Sequence, residues 1–373
     1  MTVLSILLLV PLGLLLLVAL FNAVFTPRLQ KHFPVKDSPK VSVLVPVRNE
    51  EETLPRCLLT LTEQDYGDFE ILVLDDGSTD KTPDIIREFA EEHARVHYIP
   101  GEPLPEEWSG KNWACHQLSA AATGDILLFT DADNWYRDDA ISRTIGWMQQ
   151  YELGMLSAFP EQSTHTLAEQ MIIPIMDLLV YAGLPLWLTY YTKFPSLAAA
   201  NGQWMAFSRE AYNAVAGHAS VCREIAEDTA LARRVKQAGI PMLTMAGTGV
   251  VFGRMYKSFN AIKEGFTKNL FSLMNRRTRP YFILVAIVLF VTITPYVLVF
   301  VPGFSIVGTV GVLLQGVMRL IVAVRFWHPP VISAVLHPVS ISIFAYIAVN
   351  SFFKTKSNAV VWKDRTIALY NRG

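Results

Sequence analysis

Residues 125–133 contain the feature that most limits how this chain folds, a short apolar run that ends in a pair of acidic residues. The run Ile-Leu-Leu-Phe-Thr is typical of a buried strand, and Asp131 and Asp133 lie at its carboxyl end. In open α/β sheets, ligands bind outside the carboxyl ends of the strands. Two carboxylates on either side of one small residue suit a hard divalent cation shared with a phosphate ligand. The sequence thus predicts a metal and phosphate site at the edge of a sheet.

Strands and helices alternate along the chain up to this run. Apolar runs predict strands at 41–47, 69–74, 96–99 and 125–130. Apolar residues at helical spacing predict helices between them, over 50–63, 80–92 and 111–122. Regular alternation of this kind predicts a doubly wound, mostly parallel α/β sheet.

Both ends of the chain are apolar enough to enter a membrane, and 51% of all residues are hydrophobic while 17% are charged. Residues 3–25 carry no charge and exceed the roughly 20 residues that span a bilayer. Residues 281–301 and 303–324 are two further candidates, and 331–353 is a weaker one because a His-Pro pair interrupts it. A cleaved signal peptide is the alternative for the first segment, but no basic stretch precedes it.

Basic residues lie next to the predicted spans. Arg28, Lys31 and Lys36 follow the first span, and four more basic residues precede the second. By the positive-inside rule, the block between these spans is cytoplasmic and the N-terminus is outside. Three C-terminal spans would place the basic tail 354–373 outside as well. Either residues 331–353 are re-entrant or one segment does not span, and a cytoplasmic C-terminus is favoured.

Charge and residue usage argue against several other functions. The net charge of −1 provides no basic patch for nucleic acid. The three cysteines have neither disulfide nor metal spacing, as expected in a reducing compartment. Four histidines also show no mutual spacing for a metal and are expected to be structural: His116, His165, His218 and His328.

These patterns divide the chain into four parts. We expect an N-terminal transmembrane helix over 1–27, a cytoplasmic α/β domain over 38–275, transmembrane or re-entrant helices over 280–353 and a tail over 354–373. Within the domain, residues 168–192 are apolar, rich in Tyr and Trp, and broken by proline, which favours a segment lying in the membrane interface. A buried pair of core helices is the alternative.

Two more predicted strands end in polar residues. The first ends in Pro46-Val47-Arg48-Asn49-Glu50 and the second in Asp75-Asp76-Gly77-Ser78-Thr79-Asp80. Such strand ends place backbone groups and short polar side chains against a nucleotide, and the glycine permits a tight turn. A plain turn or a helix cap would use the same residues, so neither sequence is specific alone.

Together, and in this order, P-V-R-N-E-E, D-D-G-S-T-D and D-A-D resemble the family 2 glycosyltransferases of the GT-A fold. Downstream, Asn201-Gly202-Gln203-Trp204 resembles the acceptor-side motif of that family, and Glu227-Asp228 begins a segment that resembles its E-D-x-x-L motif. Finer features are similar to a membrane subgroup, the bacterial carotenoid and hopanoid-associated glycosyltransferases. These are the segments Trp108 to Ala114, Arg254 to Tyr256, Glu264 to Asn269 and Trp362 to Arg365.

The resemblance implies a role for each matching residue. Asp76 corresponds to the acid that contacts the nucleotide base, Asp131 to the one on the ribose and Asp133 to the ligand of Mg²⁺ or Mn²⁺. Asp228 corresponds to the catalytic base. The full set of predicted donor-binding residues is Pro46, Asn49, Glu50, Asp76, Lys111, Asp131 and Arg254, and the predicted acceptor-side residues are Gln203, Trp204 and Glu227.

The implied reaction is inverting transfer of a hexose, with UDP-glucose as the expected donor, to a lipid-soluble acceptor such as a carotenoid acid or a hopanoid at the plasma membrane. One alternative is a processive polysaccharide synthase, but no Q-x-x-R-W motif follows Glu227-Asp228. Another is a non-enzymatic membrane scaffold with a degenerate domain, but none of the acids is missing. Trp362-Lys363-Asp364-Arg365 is expected to be an active-site lid or a lipid head-group anchor.

Overall fold

The computed structural model describes residues 2–274, 276–357, 361–362 and 365–366. The chain forms two compact units. The sheet unit comprises residues 26–163 and 186–255, and the helical unit comprises residues 1–25, 164–185 and 256–373.

The strands, in chain order, are β1 (Val41–Val47), β2 (Phe69–Asp75), β3 (Val96–Pro100), β4 (Ile126–Phe129), β5 (Asn134–Tyr136), β6 (Met155–Phe159), β7 (Glu161–Gln162), β8 (Met205–Ser208), β9 (Met242–Ala246), β10 (Val251–Gly253), β11 (Val361–Trp362) and β12 (Arg365–Thr366). The α-helices are α1 (Thr2–Phe25), α2 (Leu54–Thr62), α3 (Thr82–Glu92), α4 (Gly110–Ala121), α5 (Ala140–Gln150), α6 (Leu167–Gly183), α7 (Leu188–Tyr191), α8 (Arg209–Ala214), α9 (Glu227–Gln237), α10 (Phe259–Leu273), α11 (Thr278–Leu298), α12 (Ser305–Phe326), α13 (Pro330–Val335) and α14 (His337–Lys356). Every strand and helix predicted between residues 41 and 130 is present.

The sheet unit contains a seven-stranded sheet in the order β3-β2-β1-β4-β8-β6-β9. Strands β3, β2, β1 and β4 are parallel, β8 runs antiparallel between β4 and β6, and β9 is parallel to β6. Val43, Leu44 and Val45 of β1 are all fully buried. Because side chains on both faces of this strand are covered, the strand is largely apolar along its length. The predicted doubly wound, mostly parallel sheet is confirmed, with β8 as its antiparallel strand.

Parallel pairing brings the predicted site sequences to one edge of this sheet. Val47 at the end of β1 is level with Asp75 at the end of β2, and Leu44 of β1 is level with Phe129 of β4. The loops that follow these three strands therefore leave the same edge. A second sheet, in the order β5-β10-β7, contains the strand that directly follows Asp133.

Helix α2 begins at Leu54, whereas the apolar spacing predicted a helix from Glu50. Asn49 has a φ of 51°, in the left-handed region, and residues 51–53 form a turn before the helix. Leu54 and Leu58 are fully buried, so the predicted apolar face is correct although the first turn is shorter.

Three helices of the described chain are long and apolar enough to cross a membrane: Val3–Phe25, Thr278–Leu298 and Ser305–Phe326. They correspond to the predicted spans 3–25, 281–301 and 303–324. The weaker candidate, 331–353, is divided between α13 and α14 at Leu336, next to the His-Pro pair. The backbone of β11 pairs with that of β12, while Lys363 and Asp364 of the predicted C-terminal motif lie outside the described residues.

The aromatic segment 168–192 is divided between the two units. Helix α6 belongs to the helical unit, where Ile172, Ile175 and Tyr181 are buried. Helix α7 belongs to the sheet unit, and Tyr191 at its end is 76% exposed. Helix α6 is thus packed within the helical unit, and both the interfacial position of 168–192 and its alternative, a buried pair of core helices, stay predictions.

Two polar side chains inside the helical unit, those of Asn22 and Arg319, donate to backbone carbonyls. The Nδ2 atom of Asn22 donates to Tyr181 O and Leu184 O, each at 2.7 Å. Arg319, which is 1% exposed, donates from Nε to Ser333 O at 2.8 Å. Because an unsatisfied polar group is costly in an apolar environment, these bonds explain how polar residues occur within the apolar helices α1 and α12.

Candidate active site

The loops that follow β1 and β2 are hydrogen-bonded to each other. Arg48 Nη1 donates to Asp76 O at 2.6 Å and to Gly77 O at 2.8 Å. Asn49 Oδ1 accepts from Thr79 N at 2.8 Å. The two loops that are predicted to contact a nucleotide are thus joined by hydrogen bonds at the edge of the sheet.

The predicted donor-binding residues of the first loop therefore also have structural contacts. The side-chain oxygen of Asn49 is used by Thr79, and Glu50 accepts a hydrogen bond of 2.6 Å from Thr53 Oγ1 through its Oε2 atom. Pro46 lines a cleft with the predicted site residues described below. Contact of these three residues with a nucleotide stays a prediction.

Lys111 connects the predicted donor side to the E-D segment. Its Nζ atom lies 2.8 Å from Asp131 Oδ1 and 3.0 Å from Glu227 Oε1. Asp131 follows β4, and Glu227 is the first residue of α9. The Glu227 side chain is only 8% exposed, and a carboxylate in such a place needs a partner charge. One ammonium group therefore holds two distant parts of the chain together, and the acceptor-side role of Glu227 stays a prediction.

Asp228 is held in place by two backbone N–H groups. Its Oδ2 accepts from Gly202 N at 3.0 Å and its Oδ1 accepts from Thr229 N at 2.6 Å. A Cβ at position 202 would lie 3.1 Å from Lys111 Nζ and 3.4 Å from Glu227 Oε1, so the glycine permits this close approach. The predicted base thus lies close to Lys111, one of the predicted donor residues.

Burial and the neighbouring Glu227 carboxylate raise the pKa of Asp228 to about 6, although its two backbone hydrogen bonds and Lys111 oppose the shift. A carboxylate with a pKa near neutrality accepts a proton more readily than an ordinary aspartate. Perturbed groups of this kind cluster at functional sites. The electrostatics of Asp228 are therefore those expected of a general base.

Lys111, Asp131 and Glu227 line a small cleft with about 200 Å³ of empty space, which includes space open to solvent. Besides Pro46, Lys111, Asp131 and Glu227, it is lined by Cys115, Phe129, Thr130, Gly202, Met205 and His218. His218 was expected to be an ordinary structural histidine. Its Nδ1 lies 2.8 Å from Tyr212 Oη, and burial lowers the pKa of its ring to about 3, which keeps it neutral. No sequence spacing connects His218 to the acids, so the sequence offered no signal for its place in the cleft.

The side chains of Gln203 and Trp204, which were predicted to lie on the acceptor side, are buried in this structure, and their contact with an acceptor stays a prediction. Trp204 is fully buried, and its Nε1 donates to Thr144 Oγ1 at 2.9 Å. Gln203 is 3% exposed, and its amide donates to Asn134 Oδ1 at 2.9 Å and accepts from Gln162 Nε2 at 2.8 Å. Both side chains connect elements of the core, while the backbone N–H of Gly202 in the same motif donates to Asp228 Oδ2.

Because Trp204 is a core residue, Trp204→Ala should lower stability by about 3–5 kcal/mol, the usual range for a buried large aromatic. The measurement is the thermal unfolding midpoint in detergent, with Trp204→Phe as the control that keeps most of the volume. The Michaelis constants of any folded enzyme should be unchanged. Unaltered stability with a weakened acceptor affinity would instead support the predicted acceptor role.

Asp133 and Arg254 each lie next to one of two paired strands of the second sheet. Asp133 directly precedes β5, and Arg254 directly follows β10, which pairs with β5. Among the described residues, no three His, Cys, Asp or Glu side chains gather into a metal cage. Mg²⁺ and Mn²⁺ are commonly held by one or two carboxylates together with substrate phosphates. Because Lys111 already pairs with Asp131 Oδ1, the carboxylate of Asp133 is the one of the two that fits an ion shared with substrate phosphates.

Comparison with known proteins agrees with this architecture. The family model for Glycosyl transferase family 2 matches residues 42–213. The mannosyltransferase PcManGT from Pyrobaculum calidifontis, solved in complex with GDP-Man and Mn²⁺, has a TM-score of 0.60 and 19% identity, and the match covers 94% of this chain and 97% of that chain. The α/β sheet is therefore of the GT-A type.

Two similar proteins are 4,4'-diaponeurosporenoate glycosyltransferases. The protein of Staphylococcus haemolyticus (strain JCSC1435) is 30% identical over 241 residues, which are 62% of this chain and 60% of that protein. The protein of Staphylococcus aureus (strain MRSA252) is 28% identical over 348 residues, which are 88% of each. The first match thus spans less than two thirds of its relative. Over residues 42–213 the chain is thus similar to glycosyl transferase family 2, and over most of its length it is similar to the 4,4'-diaponeurosporenoate glycosyltransferases.

Proposed function

We propose that this protein is an inverting glycosyltransferase that moves a hexose from a nucleotide sugar, UDP-glucose, to a lipid-soluble acceptor such as a carotenoid acid or a hopanoid. The observation that carries the proposal is the position of Asp228. Its carboxylate accepts hydrogen bonds from two backbone N–H groups, and it follows directly after Glu227, which pairs with Lys111. Lys111 also contacts Asp131 at the sheet edge where ligands bind. These contacts support a role for Asp228, whose pKa is raised, as the base beside the predicted donor residues.

The reaction needs one displacement at the anomeric carbon. The acceptor oxygen forms a bond to that carbon while the bond to the diphosphate oxygen breaks, and the bonding electrons leave with the diphosphate. Asp228 receives the proton of an acceptor hydroxyl as the new bond forms. A carboxylic acid acceptor is already ionised near neutral pH, so Asp228 would then orient it.

The donor would lie along the ends of β1, β2 and β4. Asp76 would contact the nucleotide base and Asp131 the ribose, while the side chains of Lys111 and Arg254 would provide positive charge for the diphosphate. A Mg²⁺ or Mn²⁺ ion held by Asp133, when bound, would neutralise charge on the leaving diphosphate. The mannosyltransferase named above was solved with Mn²⁺, which supports the choice of ion.

A membrane acceptor is favoured by the three apolar helices and by the names of the relatives. The direct test uses the purified full chain in detergent with UDP-[¹⁴C]glucose, Mn²⁺ and 4,4'-diaponeurosporenoate, followed by mass spectrometry of the product. A single added hexose supports the proposal. A long glycan would instead indicate a polysaccharide synthase, and failure to bind the nucleotide sugar would indicate a scaffold.

The pH dependence of transfer follows from the raised pKa of Asp228, which is about 6. Below pH 6 the protonated form predominates, so the turnover number for a hydroxyl acceptor should fall as the pH falls through 6 and level off above about 7. The measurement is kcat between pH 4.5 and 8.5 at saturating donor. A flat profile across this range would contradict Asp228 as the base.

The membrane topology is part of the proposal. If α1, α11 and α12 each cross once, the N-terminus is outside, the sheet unit is cytoplasmic, and the chain after α12 is cytoplasmic again. The basic residues Lys354 and Lys356 then agree with the positive-inside rule without a fourth span. Alkaline phosphatase fused after Gly303 should be active and the same enzyme fused after Ser357 inactive. Activity of the second fusion would contradict this topology.

A further inference from the structure

The first turn of α4 is bonded to the segment that leads into α9. Asn112 is fully buried, and its Nδ2 donates to three carbonyl oxygens, those of Val221 at 2.7 Å, Cys222 at 3.2 Å and Glu224 at 2.9 Å. Ser109 adds a fourth bond, from its backbone N to Cys222 O at 2.8 Å. One side chain thus fixes a turn that ends three residues before Glu227.

The local sequence explains how one helix turn reaches two places. Ser109 caps α4, since its Oγ accepts from Asn112 N at 3.4 Å. Successive residues of a helix point about 100° apart, so Lys111 and Asn112 face different partners. Lys111 reaches the carboxylates of Asp131 and Glu227, and Asn112 reaches the backbone before α9. The first turn of α4 therefore holds both the side chain of Glu227 and the backbone that precedes it.

The chemistry at position 112 is specific. The three carbonyl oxygens can only accept hydrogen bonds, so the amide nitrogen must face them, and a carboxylate of the same shape would repel all three. The Oδ1 atom of Asn112 is buried and has no hydrogen-bond partner among the described residues. Folding alone disfavours a buried acceptor in that state. An asparagine here is thus better explained by the bonds to the α9 segment than by its contribution to packing.

We infer that Asn112 is a positioning residue, which sets the place of Asp228 by fixing the backbone of residues 221–224 before α9. This inference rests on the proposed function, in which Asp228 is the base. Asp228 is held from the other side by Gly202 N, so its carboxylate lies between two fixed segments. Loss of the bonds from Asn112 would free one of them.

The test compares Asn112→Ala with Gln64→Ala in the full-length protein. Gln64 is also buried, and its amide donates to Thr60 O at 2.9 Å and Arg137 O at 2.7 Å, away from the α9 segment. Asn112→Ala should lower kcat for transfer from UDP-glucose to 4,4'-diaponeurosporenoate by about 10- to 100-fold with a donor KM near that of the wild type. Gln64→Ala should lower the unfolding midpoint similarly but keep the wild-type kcat.

Two more readouts separate positioning from general destabilisation. Amide hydrogen exchange of the peptide 221–231 should become faster in Asn112→Ala, by about tenfold, and stay unchanged in Gln64→Ala. With an acceptor that carries a hydroxyl, the acidic limb of the pH profile should move to lower pH, because a loosened segment hydrates Asp228. The charged groups facing Asp228, Glu227 and Lys111, are kept in both variants.

The outcomes distinguish the inference from the function on which it rests. If both variants show the same kcat, pH limb and exchange, Asn112 has no positioning role, although a loss of transfer in Asp228→Asn would still support the base. If Asp228→Asn retains full activity, the base assignment fails and the inference fails with it. If the wild type transfers nothing from UDP-glucose, the proposed function fails, and exchange of 221–231 alone decides whether Asn112 fixes this segment.

Discussion

Asp228→Asn is expected to reduce glycosyl transfer to a hydroxyl acceptor by about 10²- to 10⁴-fold, the usual contribution of a positioned general base. Asparagine keeps the size of the side chain but cannot accept a proton at neutral pH. It also retains only one acceptor oxygen, so either Gly202 N or Thr229 N loses its partner. The measurement is kcat at saturating donor, together with the unfolding midpoint in detergent.

The matched control is Asp138→Asn, the same substitution at an exposed aspartate of the sheet unit. It should keep both activity and stability. The size of the Asp228→Asn effect also reports on the acceptor, because an acid that is already ionised needs orientation more than proton removal. The loss should therefore be smaller with 4,4'-diaponeurosporenoate than with a hydroxyl acceptor. Full activity of Asp228→Asn with both acceptors would rule out the mechanism.

The sheet and the place of the site follow from local sequence. Buried parallel strands must be apolar along their whole length, and acids can follow them only where the strand leaves the core, so Asp76 and Asp131 identify the correct sheet edge. The E-D pair was recognised by resemblance, and the structure brings it to this edge through Lys111.

Features that depend on long-range packing were not predictable in the same way. Trp204 lies two residues after Gly202, whose backbone N–H donates to Asp228, yet the Trp204 side chain is buried in the core. The motif alone does not distinguish these two environments. The antiparallel direction of β8 depends on its neighbours β4 and β6, not on its four residues. Asn112 donates to the backbone of Val221, which is distant in sequence, and His218 lines the cleft. Neither residue belongs to a recognisable sequence pattern.

Asp133→Ala is expected to lower transfer by at least about 10²-fold in the presence of Mn²⁺, because the donor diphosphate loses the protein carboxylate that would hold its counter-ion. Lys111 and Arg254 would remain as cations, so donor binding should weaken less than turnover. The measurements are kcat as a function of Mn²⁺ concentration and the affinity for UDP-glucose with and without Mn²⁺. The wild type should bind the donor more tightly with Mn²⁺, and Asp133→Ala should lose most of this difference.

The control for this substitution is Asp68→Ala, which removes an exposed carboxylate from the loop before β2, at the opposite edge of the sheet. It should respond to Mn²⁺ as the wild type does. Asp133→Glu adds a second comparison, since it keeps the carboxylate but moves its oxygens, and it should need more Mn²⁺ for half-maximal activity. Wild-type turnover by Asp133→Ala at the same Mn²⁺ concentration would show that the ion, if used, is held elsewhere. In that case Asp131, the other carboxylate of the pair, is the next residue to replace, and the role of Lys111 as its partner would have to be tested with it.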